Sequence, residues 1–202
     1  MVNEEVDLSV KNSVHIIGIG GAGMGAIAEV LATMGHIVSG SDIKDSHRLD
    51  RLRAFGIEIF IGHDPENVKS VNFVARSTAI SDSNIECLQA LENGIPLLSR
   101  EKVLRSISKL KDSIAVSGTH GKTTTSSMLS LVLREAGLKP SFIIGGEVNE
   151  IGTGAIWDEG ELLVIEADES DASFLGLKRK LSIITNLEED HLEYFGGFEA
   201  LY

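Results

Sequence analysis

The chain has 202 residues, 43% of them hydrophobic and 24% charged, the balance of an ordinary globular protein long enough to bury a core in one large domain or two small ones. Its formal charge of -12 argues against nucleic acid as a partner, since a phosphate polymer needs a basic surface, but leaves room for a nucleotide, which needs only a few local donors. The single cysteine, Cys87, cannot close an internal disulfide and points to a reducing cytoplasm; the acidic start, Met1 to Asp7, is unlike a signal peptide, and no apolar stretch is long enough to span a bilayer.

Val14 to Ile17 is an apolar run ending at Gly18 and reads as a buried parallel strand. A helix is predicted from about Ala22 to Met34, stopped by Gly35, and a second strand from Ile37 to Gly40 that runs out at Ser41-Asp42. A charged helix around Arg48 to Phe55 precedes a strand at Ile57 to Ile61. Val71 to Ala75, a helix from Asn84 to Leu91 and a short strand at Ile95 to Leu98 complete the first half. Ser99 to Asp112 turns basic and helical, and reads as the connection to a second unit. That unit restarts with a strand at Ile114 and a helix carrying Met128, Leu129, Val132, Leu133 and Ala136 at three- and four-residue spacing. Strands are predicted at Ser141 to Ile144, Leu162 to Ile165 and Leu181 to Thr185, with turns at Gly145-Gly146 and Gly152-Thr153-Gly154. The strand–helix alternation defines an α/β fold with a mostly parallel sheet. The second unit looks cut short, because a helix begins near Phe198 just before the last residue, Tyr202.

Two glycine-rich loops carry the chemistry. Gly18-Ile19-Gly20-Gly21-Ala22-Gly23 meets the G-x-G-x-x-G pattern between a strand and a helix, and Asp42 ends the next strand. Such a loop places a diphosphate on a helix N-terminus and an acid on a ribose; NAD(P), FAD and other nucleoside diphosphates all remain open. Met24 and Gly25 also read as residues that let helix and strand pack closely. Gly118-Thr119-His120-Gly121-Lys122-Thr123-Thr124, after the Ile114 strand, lays out backbone N–H groups and a helix N-terminus for phosphate. Lys122 adds full charge and Thr123 a hydroxyl for Mg²⁺. The general pattern G-x-x-x-x-G-K-[ST] is not met in full, since its first glycine falls on Val116. Carboxylates follow two later strands: Glu166 and Asp168, placed to hold a metal against the nucleotide, and Glu189-Asp190-His191, whose histidine suits a second metal position or a carboxylate-fixed tautomer. Asp171 reads as a helix cap. His15, His36, His47 and His63 lack such a setting and read as structural, whereas His120 can donate to a phosphate oxygen. Metal-binding acids beside the second loop alone suggest two nucleotides: one held as a handle, the other ATP, whose γ-phosphate is transferred under Mg²⁺.

With these residues in view the chain resembles the Mur ligases of bacterial cell-wall synthesis. The resemblance rests on Gly18–Met24, Gly40-Ser41-Asp42, Ser77-Thr78-Ala79-Ile80, Gly118–Thr125, Glu166–Phe174, Thr185-Asn186 and Glu189-Asp190-His191, in order from about residue 13 to the end. It implies a Rossmann-like domain over 1–108 that binds UDP-N-acetylmuramate, an incomplete P-loop NTPase-like α/β central domain over 109–202 that binds ATP, and an amino-acid-binding domain beyond the chain. It implies that ATP activates the muramyl carboxylate as an acyl phosphate and that the amine of L-alanine attacks it. Lys122, Glu166 and His191 would then be catalytic. Gly118, Thr119, His120, Gly121, Lys122, Thr123 and Thr124 would bind ATP, with Thr123, Glu166 and His191 on magnesium. Gly18, Gly20, Gly21, Ala22, Gly23 and Met24 would take the UDP diphosphate, with Ser41, Asp42, Ser77 and Thr78 near the uridine or sugar. The missing length implies that these 202 residues alone do not turn over. Competing expectations are a ligase that re-attaches recycled tripeptide, an NAD-dependent oxidoreductase, which leaves Gly118–Thr125 unexplained, and a catalytically dead nucleotide-binding module.

Overall fold

The computed structural model describes residues 5–148, 150–167 and 176–188. The first apolar run forms strand β1 (Ser13–Ile17), with Ile16 and Ile17 fully buried. It is joined by β2 (Ile37–Asp42), β3 (Glu58–Ile61), β4 (Phe73–Arg76) and β5 (Leu97–Ser99) in a five-stranded sheet of order β3-β2-β1-β4-β5, every pair parallel. Helices α1 (Ala22–Thr33), α2 (His47–Ala54), α3 (Ile85–Glu92) and α4 (Arg100–Ser108) and a 3₁₀ turn at Pro65–Val68 supply the crossovers. Strand order reverses beside β1, the switch point at which open α/β sheets bind ligands.

The basic helical segment that leads to the second unit is also a core helix. Ser99 caps α4 by accepting the Lys102 N–H, and Val103, Leu104 and Ile107 are fully buried, so its lysines and arginines occupy only the outer face.

The second sheet contains β6 (Asp112–Ser117), β7 (Ser141–Val148), β8 (Thr153–Ile156), β9 (Leu162–Glu166) and β10 (Leu181–Ile184), with α5 (Lys122–Glu135) following β6. Its order is β10-β6-β9-β7-β8, parallel except for the antiparallel β7–β8 hairpin. One predicted turn is displaced, since Gly145-Gly146 lies inside β7; the other is kept in part, with Gly152 (φ +73°) in the chain reversal after Val148 and Thr153-Gly154 opening β8. A side chain at Gly154 would meet the carbonyls of Ile144 and Gly146, so glycine at this position serves close backbone approach. The α5 stripe also differs from expectation. Leu129 and Leu133 pack on the core, but Met128 and Val132 are exposed, while Ser126 and Ser130 are fully buried beneath the helix.

One apolar cluster runs through both sheets. Ile19, Met24 and Ile27 of the first unit share it with Ala115, Ile143, Ala155 and Ile165 of the second, and α1 packs directly on β7 and β8. Phe73 in β4 and Phe142 in β7 are the largest fully buried side chains, each worth about 1.5–3 kcal/mol relative to exposure. No helix is long and apolar enough to cross a membrane among the described residues.

Candidate functional site

The two loops lie at the C-terminal edges of their sheets. The first is shaped by β2. The Ser41 carbonyl accepts the N–H groups of Gly18 (2.8 Å) and Ile19 (3.1 Å), and Asp42 Oδ2 accepts the Gly20 N–H at 2.9 Å. Gly21 caps α1 without any side-chain hydrogen bond and the first turn contains no acid, so the N–H groups of Ala22, Gly23 and Met24 keep their positive field. Ser77 packs on Gly18 from β4, and Thr78 beside it is exposed. Two cations that the sequence reading did not assign to this loop flank it: Arg48 Nη1 donates to the Gly20 carbonyl at 2.8 Å, and the Arg100 side chain lies against Gly23. Arg48 stands six residues after Asp42 in a charged helix, and that position was its only signal.

Two of the expected substrate contacts move. Met24 is 2% exposed, its side chain in the core, so only its backbone faces the loop. Ser41 is fully buried and its hydroxyl donates to Glu86 Oε2 at 2.6 Å, so it supports the loop from beneath. Glu86 is itself fully buried. His63 Nδ1 (2.8 Å) also lies on Oε2, while Asn67 Nδ2 (2.7 Å), the Asp64 N–H (3.3 Å) and His15 Nε2 (3.4 Å) lie on Oε1. Burial alone would raise this carboxyl, but hydrogen bonds from His15, Ser41 and Asn67, with the charge of His15, outweigh it and hold the group at about 2. His15 and His63 thus both meet a carboxylate, a setting that the sequence did not show. His36 is structural: its Nδ1 accepts the Asn12 N–H at 3.1 Å, and burial lowers its pKa.

The second loop is held by the segment after β10. Thr185 Oγ1 donates to the His120 carbonyl at 2.6 Å, Asn186 Nδ2 donates to the same oxygen at 3.1 Å, and Asn186 Oδ1 accepts the His120 N–H at 2.9 Å. Thr119 Oγ1 accepts the Glu188 N–H at 3.0 Å. The His120 ring is exposed and lies 3.6 Å from Glu188. Lys122 arches over the loop, its ammonium donating to the carbonyls of Gly118 (2.8 Å) and Thr119 (3.4 Å). Thr123 Oγ1 donates to Glu166 Oε1 at 3.0 Å, and Glu166 Oε2 accepts the Gly145 N–H at 2.8 Å. The fold thus brings Thr123 and Glu166 together across 43 residues of sequence. Asp168, Asp171, Glu189, Asp190 and His191 lie outside the described residues.

Between the loops a crevice of about 70 Å³ is lined by Ala22, Gly25 and Ala26 on α1, Arg48 on α2, and Gly145, Gly146 and Ala155 on the hairpin. Larger hollows of about 680 and 700 Å³ sit at the N-terminal edges of the strands, by Asp112 and Lys180 and by Val14 and Val38. Ligands of open α/β sheets gather at the opposite edge, which is where both glycine-rich loops are found.

An α/β chain with a short glycine-rich loop, a lysine inside it and a threonine–carboxylate pair beside it has the layout of phosphate-transferring nucleotide sites. Residues 13–112 match the family described as "Mur ligase family, catalytic domain" and residues 116–202 match "Mur ligase middle domain"; the chain belongs to the Mur ligase family. It is 48% identical over 188 residues to a UDP-N-acetylmuramate–L-alanine ligase of Polaromonas sp., covering 93% of this chain and 40% of that protein. Among solved structures it is similar to UDP-N-acetylmuramate-alanine ligase from Thermotoga maritima, with a TM-score of 0.84, 34% identity, and 92% of this chain and 44% of that one covered. It is also similar to the UDP-N-acetylmuramate:L-alanyl-gamma-D-glutamyl-meso-diaminopimelate ligase from Neisseria meningitides, with a TM-score of 0.85, 32% identity, and coverage of 95% and 65%. The chain spans about two fifths of the length of the curated relatives it matches.

Proposed function

We propose that the chain is the UDP-N-acetylmuramate- and ATP-binding part of a cytoplasmic ligase that joins L-alanine to the muramyl carboxylate in peptidoglycan precursor synthesis. Residues 1–108 hold the UDP-sugar and residues 109–202 hold ATP. The observation that carries this reading is the contact of Thr123 with Glu166 at 3.0 Å beside the Lys122 loop, in one chain with a second Gly-rich loop whose helix N-terminus is uncapped.

In the proposed reaction a carboxylate oxygen of UDP-N-acetylmuramate attacks the γ-phosphorus of ATP and ADP leaves, giving an acyl phosphate. The amine of L-alanine then attacks the acyl carbon, a tetrahedral intermediate forms, the amine loses its proton, and phosphate departs as the amide closes. The N–H groups of Gly121 to Thr124 line the phosphates, those of Thr119 and His120 being taken by Asn186, and Lys122 neutralises charge on the β- and γ-oxygens. The first turn of α1, with Gly18, Gly20, Gly21, Ala22 and Gly23, takes the UDP diphosphate. Asp42, Ser77 and Thr78 stand where ribose or sugar hydroxyls would reach them.

The donor set fits magnesium. A threonine hydroxyl and a carboxylate are hard oxygen ligands, and Mg²⁺ typically takes one or two protein oxygens, leaving the rest to water and phosphate. Thr123 and Glu166, with His191, would hold the ion, which supplies charge compensation at the transferring phosphoryl group.

Saturating UDP-N-acetylmuramate, at about 100 times its Kd, is expected to raise the melting temperature by roughly 5–10 °C, and NAD to leave it unchanged. The reverse pattern would favour an oxidoreductase. Lys122→Ala is expected to weaken Mg·ATP binding about 100-fold, the scale of losing a charge-assisted contact, without altering UDP-N-acetylmuramate affinity in parallel calorimetric titrations. Loss of both ligands would contradict two separate sites. The likeness to the Neisseria structure supports a second reading, in which the amine is that of a peptide. Phosphate release by the full-length protein with L-alanine or with tripeptide as the amine separates the two.

A further inference from the structure

The two glycine-rich loops belong to different sheets, and a cluster of side chains remote from both ties those sheets together. We propose that Glu29, Arg51 and Thr153 form a latch that fixes the β7–β8 hairpin against α1 and so sets where Thr123 and Glu166 stand relative to the first loop. They act as positioning residues, and the inference rests on the two-site reading above.

Glu29 lies in α1 at 7% exposure, and a carboxylate so buried needs compensation. Arg51 of α2 provides it from two nitrogens, with Nε 3.1 Å from Oε1 and Nη2 3.2 Å from Oε2. The pair then reaches across to the other sheet. Thr153 Oγ1 donates to Glu29 Oε2 at 3.0 Å, and Arg51 Nη1 donates to the Gly152 carbonyl at 2.7 Å. Both bonds end on the residues that open β8.

Beside the latch the crevice is lined by small groups, Ala22 and Ala26 on α1 and Gly145, Gly146 and Ala155 on the hairpin, while Ile27 and Ile143 belong to the larger shared apolar cluster. Smooth small surfaces allow close approach but resist sliding weakly, whereas the planar guanidinium fork and the threonine hydroxyl are directional. The latch thus adds directional bonds where the groups around the crevice are small. Its position translates to the chemistry at both ends. Along α1, a rigid helix leads from Glu29 back to the uncapped turn at Ala22. Along the hairpin, β8 pairs with β7, Gly145 of β7 donates to Glu166, and Glu166 accepts from Thr123. A hairpin displaced from α1 would carry Glu166 away from the first loop.

Hydrogen exchange of the 202-residue chain with and without UDP-N-acetylmuramate tests this. In the wild type the ligand should slow exchange at Gly18–Gly23 and, through the latch, about tenfold at Gly145–Gly154. Thr153→Val, which keeps shape and removes the hydroxyl, and Arg51→Met should keep UDP-N-acetylmuramate affinity and slowing at the first loop but lose the slowing at the hairpin. Thr153→Ser should restore it. Slowing at the hairpin that persists in both variants, or is missing in a wild type whose first loop is protected, overturns the latch. No protection at Gly18–Gly23 in the wild type overturns the UDP-sugar reading itself.

Discussion

Gly118→Ala is expected to remove Mg·ATP binding from the second loop and to lower the stability of the chain by about 2–4 kcal/mol, on the scale of backbone strain combined with overpacking. Gly118 has φ of +128°, a conformation that residues with a Cβ rarely adopt. A Cβ there would also strike Thr185 Oγ1 and stand 2.8 Å from the carbonyl oxygen and 3.0 Å from the nitrogen of Asn186. These are the residues that hold His120 in place by hydrogen bonds, so relief of the clash must break the brace that shapes the loop. Urea denaturation and calorimetric titration with Mg·ATP check the two effects separately. Wild-type affinity in the variant would mean that the loop tolerates a displaced Asn186, and that its present shape is not the binding shape.

That brace shows what the sequence could and could not reveal. Gly118, Gly121, Lys122 and Thr123 were legible because phosphate binding demands particular residue types at fixed local spacing. The strand–helix alternation was legible for a similar reason: a parallel sheet covered on both faces requires largely apolar runs such as Val14–Ile17, broken only by His15, and Leu162–Ile165. The pairing of Thr185 and Asn186 with the loop spans 65 residues and more, and no local pattern announces it. The same limit explains the misplaced turn. Gly145-Gly146 carries a turn composition, yet the structure uses it to admit β8 and to bring a bare N–H to Glu166. Ser41 and Met24 belonged to segments that resemble a substrate-binding motif. Which face of the backbone each side chain takes was set by packing: Met24 turns into the core beside Ile27, and Ser41 turns down to Glu86. Glu86 itself was hidden because it follows Asn84 in the first turn of a helix, where an acid needs no explanation beyond the helix dipole.

Glu86 supports the largest pH-dependent effect expected of this chain. Its carboxyl titrates at about 2 in the folded protein, against an ordinary value of 4.5, so folding favours the ionised form. The stabilisation, on the order of 3 kcal/mol, is fully present above pH 4.5 and is lost as pH falls from there through about 2. Glu86→Gln should remove it: the variant should be less stable by about that amount at pH 7, and the gap to wild type should close in acid. Exposed carboxylates with lowered values, Asp7 bonded by Ser9 and Asp45 bonded by Arg53, contribute equally to both proteins and cancel in the comparison. The consequence extends to the first loop. The glutamine amide would oppose the Asn67 amide or the imidazole of His63, both now directed at the carboxylate, and Ser41 would lose its charged acceptor. Ser41 is the residue whose carbonyl holds Gly18 and Ile19, so UDP-N-acetylmuramate affinity should fall together with stability, by about tenfold for one loosened contact. Denaturation curves from pH 2 to 7 and titrations at pH 7 read the two effects. A variant with a wild-type pH profile would show that the buried carboxylate does not carry the charge assigned to it.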